Sequence, residues 1–296
     1  MPSLLGRLGR TDTVAGWALV SPAAVLIGIF GLLPVLMSLQ LSFQQSDLLR
    51  PQTPWVGLAN YRKLAEDPVF VEAIKHTIVY TALFVPGTML VGLFVAAAMN
   101  RSVRFISVYR TAAYITMAVS TISQGIIFLW LTDRDYGLVN AGLNAVGISS
   151  QPFLASPSQA LFVIVAMTIW GWTGFSVIVY LAALQGVPPE LHEAAMIDGA
   201  SAATRFRTIT VPLLGPANLF LLVWLTINAL QLFDEVYATT RGGPLRATTV
   251  IVYYLWDRAF VHFDAGYAAA MAYALFVVIL LITAVQFRLA RKHVQN

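Results

Sequence analysis

Residues 190–212, ELHEAAMIDGASAATRFRTITVP, are polar and read as helix, yet they lie between two long apolar runs. Pro188 and Pro189 precede them and suit a helix start, where a missing N–H costs nothing. Glu190 and Glu193 then fall in the first turn, where negative charge meets the positive end of the helix dipole. Ala194 and Ala195 add no bulk, so another surface can approach closely. Gly199 breaks the helix and turns the chain. Ser201 is placed to cap a second short helix, which ends before Pro212. The expectation is a compact helix–turn–helix at a membrane surface, presenting a carboxylate and a smooth alanine face for docking.

Outward from this elbow, composition decides the class. Of 296 residues, 58% are hydrophobic and only 11% charged, and the mean hydropathy is +0.74. Soluble domains carry about a quarter charged residues. A helix that crosses a bilayer needs about 20 mainly apolar residues, and six runs qualify, at approximately 16–41, 75–99, 111–131, 159–184, 213–233 and 264–287. Barrel strands would show only about ten alternating residues. The fold class is therefore an all-α polytopic membrane protein with six transmembrane helices. It forms a single membrane domain over residues 1–296, with the elbow at 188–212. The first run is too long for a signal-peptide core and ends in no A-x-A-like site, so it reads as a span.

Lys and Arg placement sets the expected orientation. Arg7, Arg10, Arg101, Arg104, Arg110, Arg205, Arg207, Arg288, Arg291 and Lys292 crowd the short segments on one side. Arg50, Arg62, Lys63, Lys75, Arg134, Arg241, Arg246 and Arg258 are spread over three longer loops on the other. Short loops weigh most, so both termini and the elbow are expected in the cytoplasm. The formal charge of +4 is explained by these anchors and points to lipid rather than nucleic acid.

Among the outer loops, "GLANYRKLAEDPVFVEAIKHT" is amphipathic, with Asn60 as its expected cap. The second, rich in Gly, Asn and Ser, has apolar spacing for one short helix. The third contains the turn marker "RGGP", followed by "TTVIVYYLW", read as an interfacial helix whose Tyr253, Tyr254 and Trp256 suit an aromatic belt. There is no internal repeat and no low-complexity tract.

Several chemistries are excluded. No charged residue sits mid-span, which argues against a proton-coupled carrier. No phosphate-binding G-x-x-x-x-G-K-[ST] loop occurs, so the chain does not hydrolyse ATP itself, and neither H-E-x-x-H nor G-x-S-x-G is present. Zero cysteines exclude disulfides and thiolate metal sites. The chain reads as a non-enzyme. Its spans do carry uncharged polar groups, notably Ser120, Thr121, Ser123, Gln124, Thr168, Trp170, Trp172, Thr173, Trp224, Thr226, Asn228 and Gln231. Hydroxyl side chains commonly just hold spans together. Gln124, Trp170, Trp172, Asn228 and Gln231 instead suit a hydroxyl-rich solute, by ring stacking and amide hydrogen bonds. For Asn228 and Gln231, one turn apart, helix glue and solute binding both remain open.

The elbow also matches a fixed signature. Glu193, Ala194, Ala195, Gly199, Ile209 and Pro212 stand at the spacing E-A-A-x-x-x-G-x(9)-I-x-L-P, with Val211 in place of Leu. This resembles the coupling motif of permease subunits in binding-protein-dependent ABC importers, and the resemblance covers nearly the whole chain. "WVGLANYRKLAEDPVFVEAIKHT" and "TTRGGPLRATT" resemble the carbohydrate-uptake branch. "GGPLRATT" together with "DAGYAAAMAYALFVVILLITAVQFR" is most similar to the first permease subunit of sn-glycerol-3-phosphate and glycerophosphodiester importers.

The resemblance implies a type I importer permease fold in a bacterial inner membrane. Its implied partners are a second permease subunit, two ATPase subunits and an extracytoplasmic solute-binding protein. ATP and Mg²⁺ belong to the ATPases, and no cofactor to this chain. Glu193, Ala194, Ala195, Asp198, Gly199, Ile209 and Pro212 become the ATPase-coupling residues, and glycerol-3-phosphate or glycerophosphocholine the solute. A sugar or oligosaccharide of the trehalose or maltodextrin type is the competing solute, because no span interior offers a cation for a phosphate. A membrane scaffold that holds a cytosolic partner without transport is the reading from another class.

Overall fold

The computed structural model describes residues 5–47, 52–100 and 106–294, with side chains described from Gly16 to Leu289 within those limits. Arg50, Arg101 and Arg104 of the charge count lie outside the described residues, and the side chains of Arg7, Arg10, Arg291 and Lys292 do as well. Every regular element among the described residues is helical, beside two isolated β-bridges. The chain packs as two compact units.

The first unit comprises Met1–Leu64 and Arg258–Tyr273. Helix α1 (Leu5–Leu26) passes through a wide π-helical stretch, Ile27–Leu32, into α2 (Leu33–Ser42). Pro34 explains the widening, because it lacks an N–H and its ring crowds the carbonyl one turn back. Residues Gly16–Ser42 make one span with none of its best 18-residue window buried inside the chain. Helix α3 (Ala59–Glu66) is bolted to the end of α2. Asn60 lies inside α3, not at its cap as expected. It is buried, and its Nδ2 donates to the carbonyls of Ser42 and Gln44, both at 2.9 Å. The hydroxyls of Ser42 and Tyr61 sit 2.8 Å apart, and Phe43 stacks on Trp55. Lys63 pairs with Asp264 at 2.9 Å.

The second unit comprises Ala65–Asp257 and Ala274–Asn296. Helix α4 (Pro68–Met99) starts where the Asp67 carboxylate accepts from the N–H groups of Val69 and Phe70. The third apolar run is not one helix. It breaks into α5 (Ile106–Ala118) and α6 (Thr121–Leu131), bent by 101°. Ser120 causes the restart: its backbone is extended and its Oγ accepts from the N–H of Ser123, capping α6 inside the apolar run. After α7 (Leu138–Ala145) comes α8 (Ala160–Gln185), the most buried span, with half of its apolar window inside the chain. Beyond the elbow, α12 (Gly215–Leu230) packs on α4 and α8, and the fully buried Tyr80, Ile164, Val177, Leu221 and Leu225 fill the space between them. Short helices α13 (Asp234–Ala238) and α14 (Ile251–Trp256) precede α15 (Ala265–Val294). The spans thus number four continuous helices, or six when each of two bent pairs counts as one.

Small residues let these helices close. A Cβ added at Gly92 of α4 would stand 2.5 Å from the Cβ of Ser176 in α8, and one at Gly174 would stand 2.6 Å from the Ala113 carbonyl in α5. Polar side chains tie the remainder: the Tyr180 hydroxyl donates to Asn218 at 2.8 Å, and Gln286 Nε2 donates to Thr226 Oγ1 at 3.0 Å. Thr168 and Thr173 bond carbonyls of their own helix.

The second outer loop is held by one amide. Asn140 is buried, donates to the carbonyls of Asp133 and Gln151, and accepts from the N–H of Gln151. Asn140→Ala leaves these backbone groups unmatched, at about 1–3 kcal/mol. Proteolysis of the loop between 147 and 158 should quicken while the spans stay protected. Unchanged cleavage would remove Asn140 as the loop's organiser.

Candidate functional site

Two places deserve a site's description, and both lie in the second unit. At the elbow, α9 (Pro189–Ile197) is capped by Pro188 and begins with Pro189, as expected. Its first turn holds Glu190; Glu193 sits one turn further on, a correction to the expected placement. Gly199 takes a positive φ of +79°, and the N–H groups of Gly199 and Ala200 return to the carbonyls of Met196 and Ala195. That left-handed turn is open to glycine without strain. Ser201 Oγ then accepts from the Thr204 N–H and starts α10 (Ala202–Arg205).

The second helix does not end before Pro212. A π-helical stretch, Phe206–Thr210, carries it into α11 (Val211–Leu213), which meets α12 at a 65° bend. Pro212 sits in the first turn of α11, where its missing N–H is tolerated, and the wide turn before it takes up its ring. No residue of α9 is buried. Glu193, Ala194, Asp198 and Gly199 are exposed, Ala195 and Ile209 are half-buried, and Pro212 is exposed. The apolar Leu191, Met196 and Ile197 are also exposed, Ile197 by 87%. The anchors are Thr210 and the fully buried Leu214. The elbow is thus a rigid bracket, rooted at one end, whose helix faces away from its own chain.

The other place is a cavity of about 270 Å³ where α4, α6, α8, α12 and α13 meet. Tyr80, Phe84, Thr121 and Trp172 form its walls, and the chain from Asn228 and Gln231 through Leu232–Glu235 closes it. Trp172 is held edge-on between Phe84 and Phe175, at centroid distances of 6.4 and 5.7 Å. Asn228 Nδ2 donates to the Trp224 carbonyl at 2.8 Å, which fixes the amide and leaves its oxygen to accept. Phe233 stacks on Tyr237 and Tyr253. Burial, aided by the neighbouring Asp234 charge, pushes the Glu235 carboxyl up to about 7.

Of the five solute-binding candidates from the sequence, Trp172, Asn228 and Gln231 share this cavity. Gln124 and Trp170 do not line it. Gln124 is buried against Gly171 and donates to the Val119 carbonyl, so it serves the α5–α6 break. Trp170 is 37% exposed and packs on Phe128. Sequence reading missed Asp234 and Glu235. No helical spacing marks them: α12 ends at Leu230, and the turn at 231–233 that brings Asp234 and Glu235 to the cavity is a tertiary feature.

Residues 88–294 match the family described as "Binding-protein-dependent transport system inner membrane component". The chain is similar to the lactose transport system permease protein LacF of Rhizobium radiobacter, 35% identical over 291 residues, covering 96% of this chain and 97% of LacF. It is also similar to the sn-glycerol-3-phosphate transport system permease protein UgpA of Agrobacterium fabrum, 34% identical over 284 residues and covering 96% and 97%. Among solved structures, a bacterial ABC transporter involved in the import of the acidic polysaccharide alginate matches with a TM-score of 0.83 at 25% identity, covering 97% of this chain and 98% of that one. With its helical spans, surface elbow and family match over most of its length, the chain belongs to the inner-membrane permease components of binding-protein-dependent ABC importers of the sugar type.

Proposed function

We propose that this chain forms half of a translocation pathway for a neutral, hydroxyl-rich solute, a sugar or short oligosaccharide. The observation that carries this is the cavity lining: Trp172 offers a ring face, and Asn228 and Gln231 offer amides, with no Lys, Arg or His among the lining residues. Stacking plus fixed amides suits a polyol, whereas a phosphate wants a cation to pair with. Glycerol-3-phosphate or a glycerophosphodiester such as glycerophosphocholine is the second reading, favoured by the similarity to UgpA.

In this proposal a second permease subunit completes the pathway, two ATPase subunits bind ATP and Mg²⁺, and an extracytoplasmic binding protein delivers solute. The α9 bracket docks into an ATPase on the cytoplasmic side and carries its closure to α12 through the 65° bend. Short rigid helices suit such transmission, and the small exposed Ala194 of α9 allows close approach.

ATPase activity of the reconstituted complex with its binding protein tests the solute. Lactose, trehalose, maltodextrin, glycerol-3-phosphate and glycerophosphocholine are titrated in turn. The expected result is stimulation by a neutral sugar. Stimulation by glycerol phosphates alone would overturn that reading in favour of the second.

A further inference from the structure

Resting on the reading of this cavity as part of the pathway, we propose that Asp234 and Glu235 are its specificity-determining residues, a charge filter that admits neutral or cationic hydroxyl-rich solutes and turns anions away. The whole-chain comparisons do not bear on this point, since proteins named for lactose, for glycerol phosphate and for an acidic polysaccharide all match along nearly the full chain. The lining residues do bear on it.

Both carboxylates line the cavity where α12 ends and α13 begins. Gln231 caps the end of α12 and Glu235 lies in the first turn of α13, so the turn between the two helices brings the amides of Asn228 and Gln231 and this carboxylate to the same cavity. Among the described residues no cation pairs with Glu235, and its one bonding partner is its own backbone N–H. Its oxygens are therefore left to accept from a guest. A carboxylate with both oxygens available takes two adjacent hydroxyls of a sugar, donors that the Asn228 oxygen also receives. Burial takes water from the carboxylate and so raises the carboxyl, and a guest that donates hydrogen bonds replaces the lost water. The phosphate or carboxylate group of an anionic guest brings acceptors and a like charge, which the ionised Asp234 and Glu235 repel. In a walled cleft, charges of one sign raise the local concentration of opposite ions by about 10-fold or more.

The chain contains no cysteine, which makes a direct test clean. Asn228→Cys is introduced, the whole importer is reconstituted, and the thiol is labelled at pH 8.5. A cationic methanethiosulfonate (ethyltrimethylammonium) is compared with an anionic one (ethylsulfonate), each rate normalised to a free thiol in water. Ser149→Cys, exposed in the second outer loop, is the reference.

The filter predicts at least about a 10-fold preference for the cation at Asn228→Cys and a ratio near one at Ser149→Cys. Adding Asp234→Asn and Glu235→Gln should bring the Asn228→Cys ratio to within about two-fold of one. A ratio near one with both carboxylates present overturns the filter and leaves the pathway reading standing. Labelling by neither reagent overturns the pathway reading and the filter together.

Discussion

Glu193→Lys should abolish solute uptake and solute-stimulated ATP hydrolysis while the protein still inserts and folds. No residue of α9 is buried and Glu193 is exposed, so the change touches no packing within this chain. On the proposed docking, Glu193 pairs with a basic residue of the ATPase, and reversing one member of such a desolvated pair removes about 2–5 kcal/mol. Gly199→Pro should have the same outcome by another route. Gly199 stands at φ +79° and its N–H bonds the Met196 carbonyl; proline holds φ near −65° and has no N–H. The turn that aims α9 is then lost. Gly199→Asn is the control, since asparagine tolerates the left-handed region and should retain most uptake. Vesicle uptake, with detergent chromatography as the folding check, decides the matter. Normal uptake by Glu193→Lys would remove α9 as the coupling element.

Gly92→Val should cost the fold itself. Its Cβ would lie 2.5 Å from the Ser176 Cβ and about 3.4–3.5 Å from Ser176 backbone atoms, so α4 and α8 have to part. Overpacking of this kind costs about 1–3 kcal/mol for a methyl group and more for a branched side chain. The α4–α8 contact is the centre of the second unit, and the monodisperse peak in detergent should collapse on mild heating. Gly87→Ala makes the contrast: its new Cβ meets only the end of the flexible Ile169 side chain, at 2.6 Å, and should be tolerated. Combining Gly92→Ala with Ser176→Gly should restore much of the stability lost by Gly92→Ala alone. Wild-type thermal behaviour of Gly92→Val would show that the two helices are not held at this distance.

What could be read from the chain was local. Six apolar runs announce themselves by length, and the elbow by Pro188, Gly199 and Ser201, each of which acts on its own backbone. The break at Ser120 was hidden because a serine in an apolar run has two uses, as glue or as cap, and only the extended backbone at that residue selects the second. The phase of a span around its own axis was equally hidden. Trp170 and Trp172 are two residues apart, and which of them meets the cavity depends on α4, α6 and α12, remote in sequence. Asn60 reads as a cap by type, but partners sixteen and eighteen residues away claim its amide. Asp234 and Glu235 belong to the site because the chain turns between α12 and α13, and they stand just past Phe233, where the fifth apolar run ends.

The start of α4 is joined to the segment around α14 by bonds that span most of the chain. The Tyr254 hydroxyl donates to Asp67 across 187 residues, Thr77 Oγ1 accepts from the Ile251 N–H across 174, and His76 meets the Thr249 carbonyl across 173. Ribosomes extend a chain at about 5–20 residues per second. The start of α4 therefore waits roughly 9–35 s after its own synthesis before its partners exist. During that interval the Asp67 carboxylate and the Thr77 hydroxyl have only local partners, and this end of α4 is still unlatched. The loop that closes this end is a late event in the life of each new molecule, and a chain truncated before residue 249 would insert its early spans without ever locking them.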